Sequence, residues 1–239
     1  MRRWSSFFMP STPRRVLYLG IDPPPGVFHY PVIRTQKIES SELQTALALF
    51  FTHILFTSKN AVRYWPGDLS GAVSIAIGDA TAKEIRKRGA EPLVASEATQ
   101  EGVIAFLETL DLRRAFLLYP RSKIARPHLA KYLQNAKIAH FVFDLYETLF
   151  QRPEPTPDLA EFDEIVFTAP SAVEGFFRIF RSLPERILLT PIGPVTKRAL
   201  AEYFSPAISS SSYNANFIQE MNDDGGSRKT QLPNPRPPL

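Results

Sequence analysis

Two stretches of this chain are near copies of each other. Ile54 to Val62 reads ILFTSKNAV and Ile165 to Val173 reads IVFTAPSAV, and the two agree at five of nine positions. Each is followed by an apolar run that ends in Ile-Gly and then by a helical pattern: Ile77, Gly78 and Thr81 in the first copy, Ile192, Gly193 and Thr196 in the second. The offsets are 111 and 115 residues and the blocks keep their order. A duplicated strand–helix unit accounts for this economically. The alternative is convergence, because helix caps favour Thr and Ser wherever a strand runs into a helix.

The same alternation extends along the chain. Short runs rich in β-branched and aromatic residues predict strands at Val16 to Leu19, His53 to Phe56, Val73 to Ile77, Leu93 to Val94, Ala115 to Tyr119, Ala139 to Phe143, Glu164 to Phe167 and Ile187 to Ile192. Between them, amphipathic spacing predicts helices at Ser41 to Phe50, with a Ser41/Gln44 capping box, Ala80 to Arg88, closed by Gly89, Gln100 to Leu110, Pro127 to Asn135, Ser171 to Ser182 and Thr196 to Tyr203. The class is α/β with mostly parallel sheets. A length of 239 residues exceeds the usual single domain of about 100–150 residues, so two domains are expected.

Composition excludes several classes of function. Hydrophobic residues make up 44% and charged residues 22%, enough for a real core. With no cysteine, disulfides, thiolate nucleophiles and cysteine-held metals are out. Four arginines in the first fifteen residues carry much of the +4 net charge, which is no nucleic-acid-binding pattern. The apolar uncharged stretch Leu43 to Ser58 is too short to span a membrane, and the start lacks the apolar core of a signal peptide, so a cytoplasmic protein is expected. Proline clusters at residues 23–25 and 153–157 mark loops, and residues 222–239 have almost nothing apolar to bury and read as a disordered tail.

No P-loop, dinucleotide-binding, zinc-protease or nucleophile-elbow motif occurs. His29, His53, His128 and His140 are scattered without metal spacing, and His53 and His140 read as structural. The pair Asp163/Glu164 reads as a solvated turn, and Asp22 could cap or bind. In parallel sheets, ligands bind beyond the carboxyl ends of the strands, where helix N-termini attract anions. Thr57, Ser58, Thr168 and Ser171 fall there, with Gly78 and Gly193 allowing close approach to the backbone. As single residues the hydroxyls are read first as helix caps. Arg121 and Arg126 could each meet a carboxylate bidentately. Nothing physical singles out Tyr146 among the eight tyrosines.

Taken together, FTSKNAV, IGDATAKEIRKRGAEP, ATQEG, YPRSKIAR, DLYETL, FTAPSAV and IGPVTKRAL, in this order across residues 50–204, resemble the uroporphyrinogen-III synthase family. The resemblance implies two similar parallel-sheet domains joined by a two-stranded linker, with crossings near Arg34 to Ile38 and Leu145 to Pro153 and a ligand cleft between the domains. Residues 1–36 plus 150–221 would form the first domain and residues 37–149 the second, followed by the tail at 222–239. It also implies a monomer that uses no cofactor and no metal. Its substrate would be hydroxymethylbilane, closed to uroporphyrinogen III with inversion of ring D and loss of water; no nucleic acid and no membrane would be involved.

Tyr146 matches the family's favoured general acid for the departing hydroxyl. Ser58, Thr81, Thr168, Ser171 and Thr196 match positions that contact substrate, and Arg121 is carried with them. Thr57, Gly78 and Gly193 complete the expected set. The chain departs from the family after the first strand, where about a dozen residues replace an arginine-bearing loop and full helix, and Ser209 to Met221 lacks the Thr-x-x-Gly pattern of Thr99 and Gly102. A non-catalytic module that senses a tetrapyrrole or another polyanion, and a regulator that binds another protein, are the competing readings.

Overall fold

Apolar β-branched runs become strands in the computed structural model, which describes residues 14–204. The chain opens with β1 (Val16–Tyr18) and β2 (Phe28–His29). It continues through β3 (Ile33–Lys37), α1 (Ser41–Ala48), β4 (His53–Phe56), α2 (Lys59–Tyr64), β5 (Val73–Ala76) and α3 (Asp79–Lys87). Next come β6 (Leu93–Val94), α4 (Gln100–Leu107), β7 (Phe116–Ser122), α5 (His128–Asn135) and β8 (Ala139–Phe150). A 3₁₀ turn at Leu159–Glu161 leads into β9 (Glu164–Phe167), α6 (Pro170–Ile179), β10 (Leu188–Pro191) and α7 (Pro194–Tyr203). No helix of the described residues is long and apolar enough to cross a membrane.

These elements divide into two units, with boundaries between Arg34 and Thr35 and between Leu149 and Phe150. The middle unit carries the six-stranded sheet β3-β8-β7-β4-β5-β6. All its pairs from β8 to β6 are parallel. Along β4, Ile54 and Phe56 face one core with Leu43, Val62, Ala82 and Ile85, while Leu55 faces another with Val103, Leu107, Leu129 and Leu133. The period-2 alternation of a strand thus covers the sheet with α1, α2 and α3 on one face and α4 and α5 on the other.

The outer unit is assembled from both ends of the chain around the sheet β10-β9-β1-β2. Its core joins Leu17, Leu19 and Val32 to Ile165, Phe167, Phe176 and Leu200. The β3 and β8 strands connect the units, and their bonds run in opposite senses. Ile38 N–H donates to Leu145 O and Gln151 N–H to Val32 O, so as one strand advances its partner retreats.

The duplication holds to the level of single hydrogen bonds. In the middle unit β4 and β5 pair from His53/Val73 to Phe56/Ala76, and in the outer unit β9 and β10 pair from Glu164/Leu188 to Phe167/Pro191. These are the same positions at the sequence offsets of 111 and 115. The flanking bonds repeat too: Ile77 N–H to Phe56 O matches Ile192 N–H to Phe167 O. Convergent capping would not reproduce a ladder register, so duplication is the better account. The correspondence also reaches β7 and β1, which pair with β4 and β9 in equivalent register, so Tyr119 corresponds to Tyr18.

Several expectations need correction. The cap of α1 is Ser40, not Ser41: Ser40 is extended, at φ −141°, and its Oγ accepts from Leu43 N–H. Helix α2 gives no signal in the sequence, because six residues are too few to show a period. The β8 strand runs to Phe150 rather than Phe143. Its charged residues Asp144 and Glu147 suggest an end, yet they meet Arg121 of β7 and Lys123 just after it. The β7 strand likewise continues through Pro120, because β4 pairs with it only at Leu117 and Leu118 and leaves no ladder bond for the missing N–H on that side. Residues 205–239, including the tail at 222–239 and the Ser209 to Met221 segment, lie outside the described residues.

The shortened connection after the first strand is as the sequence suggests. Only residues 19–27 separate β1 from β2, with no helix, and Gly26 turns the chain at φ +83°. The corresponding connection in the middle unit, between β7 and β8, carries α5.

Candidate active site

At the carboxyl end of the six-stranded sheet, β4 delivers Thr57 and Ser58, β7 delivers Arg121 and Ser122, and β8 delivers Tyr146. The ladder between β7 and β8 breaks register once: Arg121 lies opposite Asp144, but Ser122 lies opposite Tyr146. Leu145 is therefore the extra residue of a bulge, a device that re-aims the side chain that follows it.

Tyr146 is 5% exposed, its ring 5.7 Å from that of Tyr64. Burial pushes its phenol above the ordinary value of 10.0, and the Ser58 and Ser122 hydroxyls beside it pull the other way. The Tyr64 hydroxyl donates to Thr35 O at 2.9 Å, which fixes the ring that packs on Tyr146. Ser58 also caps α2, its Oγ accepting from Asn60 N–H at 3.1 Å.

Thr57 Oγ lies 3.3 Å from the hydroxyl of Tyr119, a fully buried tyrosine whose phenol burial also pushes up. In the outer unit the counterpart phenol, Tyr18, is raised by burial and then by the charge of Asp22. Thr168 stands close to Tyr18, since a Cβ added at Gly20 would lie 2.5 Å from one and 2.8 Å from the other. Each unit thus sets a threonine beside a tyrosine at the carboxyl edge of its sheet, fully buried at Tyr119 and half-buried at Tyr18. Sequence reasoning missed this paired feature, although LLY at 117–119 and VLY at 16–18 carry its signal.

The glycines divide by cause. A Cβ at Gly78 would come within 2.9 Å of the Ala98 Cβ, so packing requires this glycine. Gly193 has open space but sits at φ +86°, a left-handed conformation that favours glycine. Behind them, Thr81 and Thr196 occupy matching first-turn positions and are each 3% exposed. The helices α3, α6 and α7 begin at Gly78, Ala169 and Gly193 with no side-chain cap. Ser171 lies inside the first turn of α6, and in the repeat it matches Asn60, whereas Ser58 matches Ala169.

Both arginines find carboxylates of the chain itself. Arg121 Nε donates to Asp144 Oδ1 at 2.9 Å. Arg126 grips Glu101 with two bonds of 2.9 and 3.0 Å and holds that carboxyl down at about 2. Thr99 caps α4 by accepting from Gly102 N–H, and a Cβ at Gly102 would strike Glu97 O at 2.4 Å, which explains the Thr-x-x-Gly pattern structurally. His29, His53 and His140 bond to Gly20 O, Thr52 Oγ and Ile138 O, as structural histidines do. No group of three metal-ligating side chains occurs among the described residues.

The model of the family uroporphyrinogen-III synthase HemD matches residues 26–217 of this sequence. The chain belongs to this family. It is thus an enzyme, a cyclising lyase of porphyrin and heme biosynthesis. The fold agrees with solved uroporphyrinogen-III synthases at low identity. The Helicobacter pylori structure is 18% identical with a TM-score of 0.60, over 87% of this chain and 98% of that one. A selenomethionine mutant from the extreme thermophile Thermus thermophilus is 21% identical with a TM-score of 0.53, over 79% and 88%. No curated protein matches the chain.

Proposed function

We propose that this uroporphyrinogen-III synthase takes hydroxymethylbilane as substrate and that Tyr146 is its general acid. What supports the assignment is the position of Tyr146: a bulge turns its phenol toward two serine hydroxyls at the carboxyl edge of the sheet. A phenol kept neutral by burial holds its proton until a departing hydroxyl needs it. Loss of that hydroxyl as water leaves an azafulvene, which the substituted carbon of ring D attacks. The spiro product then fragments and recloses with ring D inverted. Holding a flexible chain of pyrroles in the folded shape supplies much of the rate.

Substrate carboxylates need acceptor-free N–H groups, which the uncapped N-termini of α3, α6 and α7 offer. In this reading Thr57, Ser58, Gly78, Thr81, Thr168, Ser171, Gly193 and Thr196 line the substrate-binding positions. Arg121 contributes its positive field while Asp144 orients it. The protein works as a cytoplasmic monomer.

The test generates hydroxymethylbilane in place, adds the protein and separates the oxidised products into isomers I and III. Isomer III should dominate over the isomer I formed by spontaneous closure. Isomer I alone, from folded protein, would overturn the proposal and favour a module that binds tetrapyrroles without turning them over.

A further inference from the structure

Ser122 ends β7 directly across the ladder from Tyr146, a placement that exists only because of the extra residue at Leu145. Its Oγ is buried and makes no hydrogen bond of normal geometry. Such an orphan is unusual among buried polar atoms and calls for an explanation. A buried hydroxyl left unpaired costs the fold its lost hydration, so alanine at this position would serve packing at least as well.

We propose that Ser122 is a positioning residue for the proton transfer assigned to Tyr146, its hydroxyl turning about χ1 to donate to the Tyr146 oxygen once the phenol has given up its proton. The inference rests on the reading of Tyr146 as the acid. In that step the phenol O–H bond breaks, the proton joins the leaving hydroxyl, and water departs with the electron pair of its C–O bond. The phenolate then holds its charge beside Ser122 until the proton released from the closing pyrrole restores it. One proton leaves Tyr146, one returns, and one water is lost. A phenolate in an apolar setting is costly unless a donor faces it. Ser122 is that donor, and it carries no competing acceptor in the resting fold. The direction of its influence agrees: its hydroxyl favours the charged form of Tyr146, against burial.

The experiment compares Ser122→Ala and Ser122→Thr in the full chain. In each, 3-fluorotyrosine is also placed at position 146, so that a more acidic ring titrates in an accessible range and is read by fluorine NMR. Ser122→Ala should lower kcat about tenfold with KM unchanged, the size expected for one hydrogen bond to a charged group. It should also raise the titration midpoint at position 146 and leave the melting temperature equal or higher. Ser122→Thr, which keeps the hydroxyl, should restore both kcat and midpoint. An unchanged midpoint in the alanine variant overturns the role of Ser122 alone. Full activity in Tyr146→Phe overturns the reading of Tyr146, and this role with it.

Discussion

Tyr146→Phe should lower kcat by about 10²–10⁴-fold, the range set by loss of a general acid, while the fold stays intact. The substitution keeps the ring, and with it the packing against Tyr64 and the apolar core of the middle unit. It removes only a hydroxyl that Ser58 and Ser122 face, and Ser58 retains its cap on Asn60. A change in unfolding free energy below about 1 kcal/mol is expected, as for one neutral hydrogen bond. Initial rates of isomer III formation and a thermal melt, run side by side, check both parts. Undiminished turnover would remove Tyr146 from the mechanism.

The parent enzyme should show the matching pH dependence. Burial raises the folded phenol above its ordinary value of 10.0, so the acid stays protonated through the neutral range. The alkaline limb of kcat assigned to Tyr146 should therefore fall above pH 10. The stability linked to the neutral phenol has the same sign: fully present below the unfolded value, it is lost as pH rises through the folded one. A limb that appears well below pH 10 and vanishes in Tyr146→Phe would contradict a buried phenol.

Phe176→Ala should be the most damaging single change to the outer unit, at about 3–5 kcal/mol. Phe176 is fully buried, and its ring lies 5.3 Å from Phe167, 5.2 Å from Phe177 and 4.7 Å from Phe180. Alanine leaves a cavity among the three remaining rings, in a unit whose described core is one cluster. Denaturant unfolding followed by circular dichroism reads the loss. A cost under about 1 kcal/mol would mean that the rings collapse to fill the space.

What the sequence disclosed and what it hid follow from the range of the signals. The β4 and β9 strands and the closing Gly89, at φ +81°, are legible because their cues are local. Ser40 hides behind Ser41 because two adjacent serines offer the same chemistry and only backbone geometry separates them. The end of β8 is obscured because its charges are neutralised by residues more than twenty positions away. At the site, the strand-to-helix hydroxyls can be named from the chain alone. Tyr146 emerges only through family likeness, and Ser122 cannot be found at all, since its meaning depends on a one-residue slip between two strands.

The discontinuity of the outer unit has a consequence for synthesis. The middle unit is contiguous and complete once Leu149 has left the ribosome. The β1 strand is made first, yet its neighbour β9 pairs Leu17 with Ile165, which emerges much later. Until then Leu17 has only the short β2 beside it, and closing so long a loop is eased by the compact block already folded within it. The pairing of Ile38 with Leu145 in the middle unit thus brings together the two segments that flank it. A nascent chain halted after Leu149 should hold one finished unit and a waiting strand.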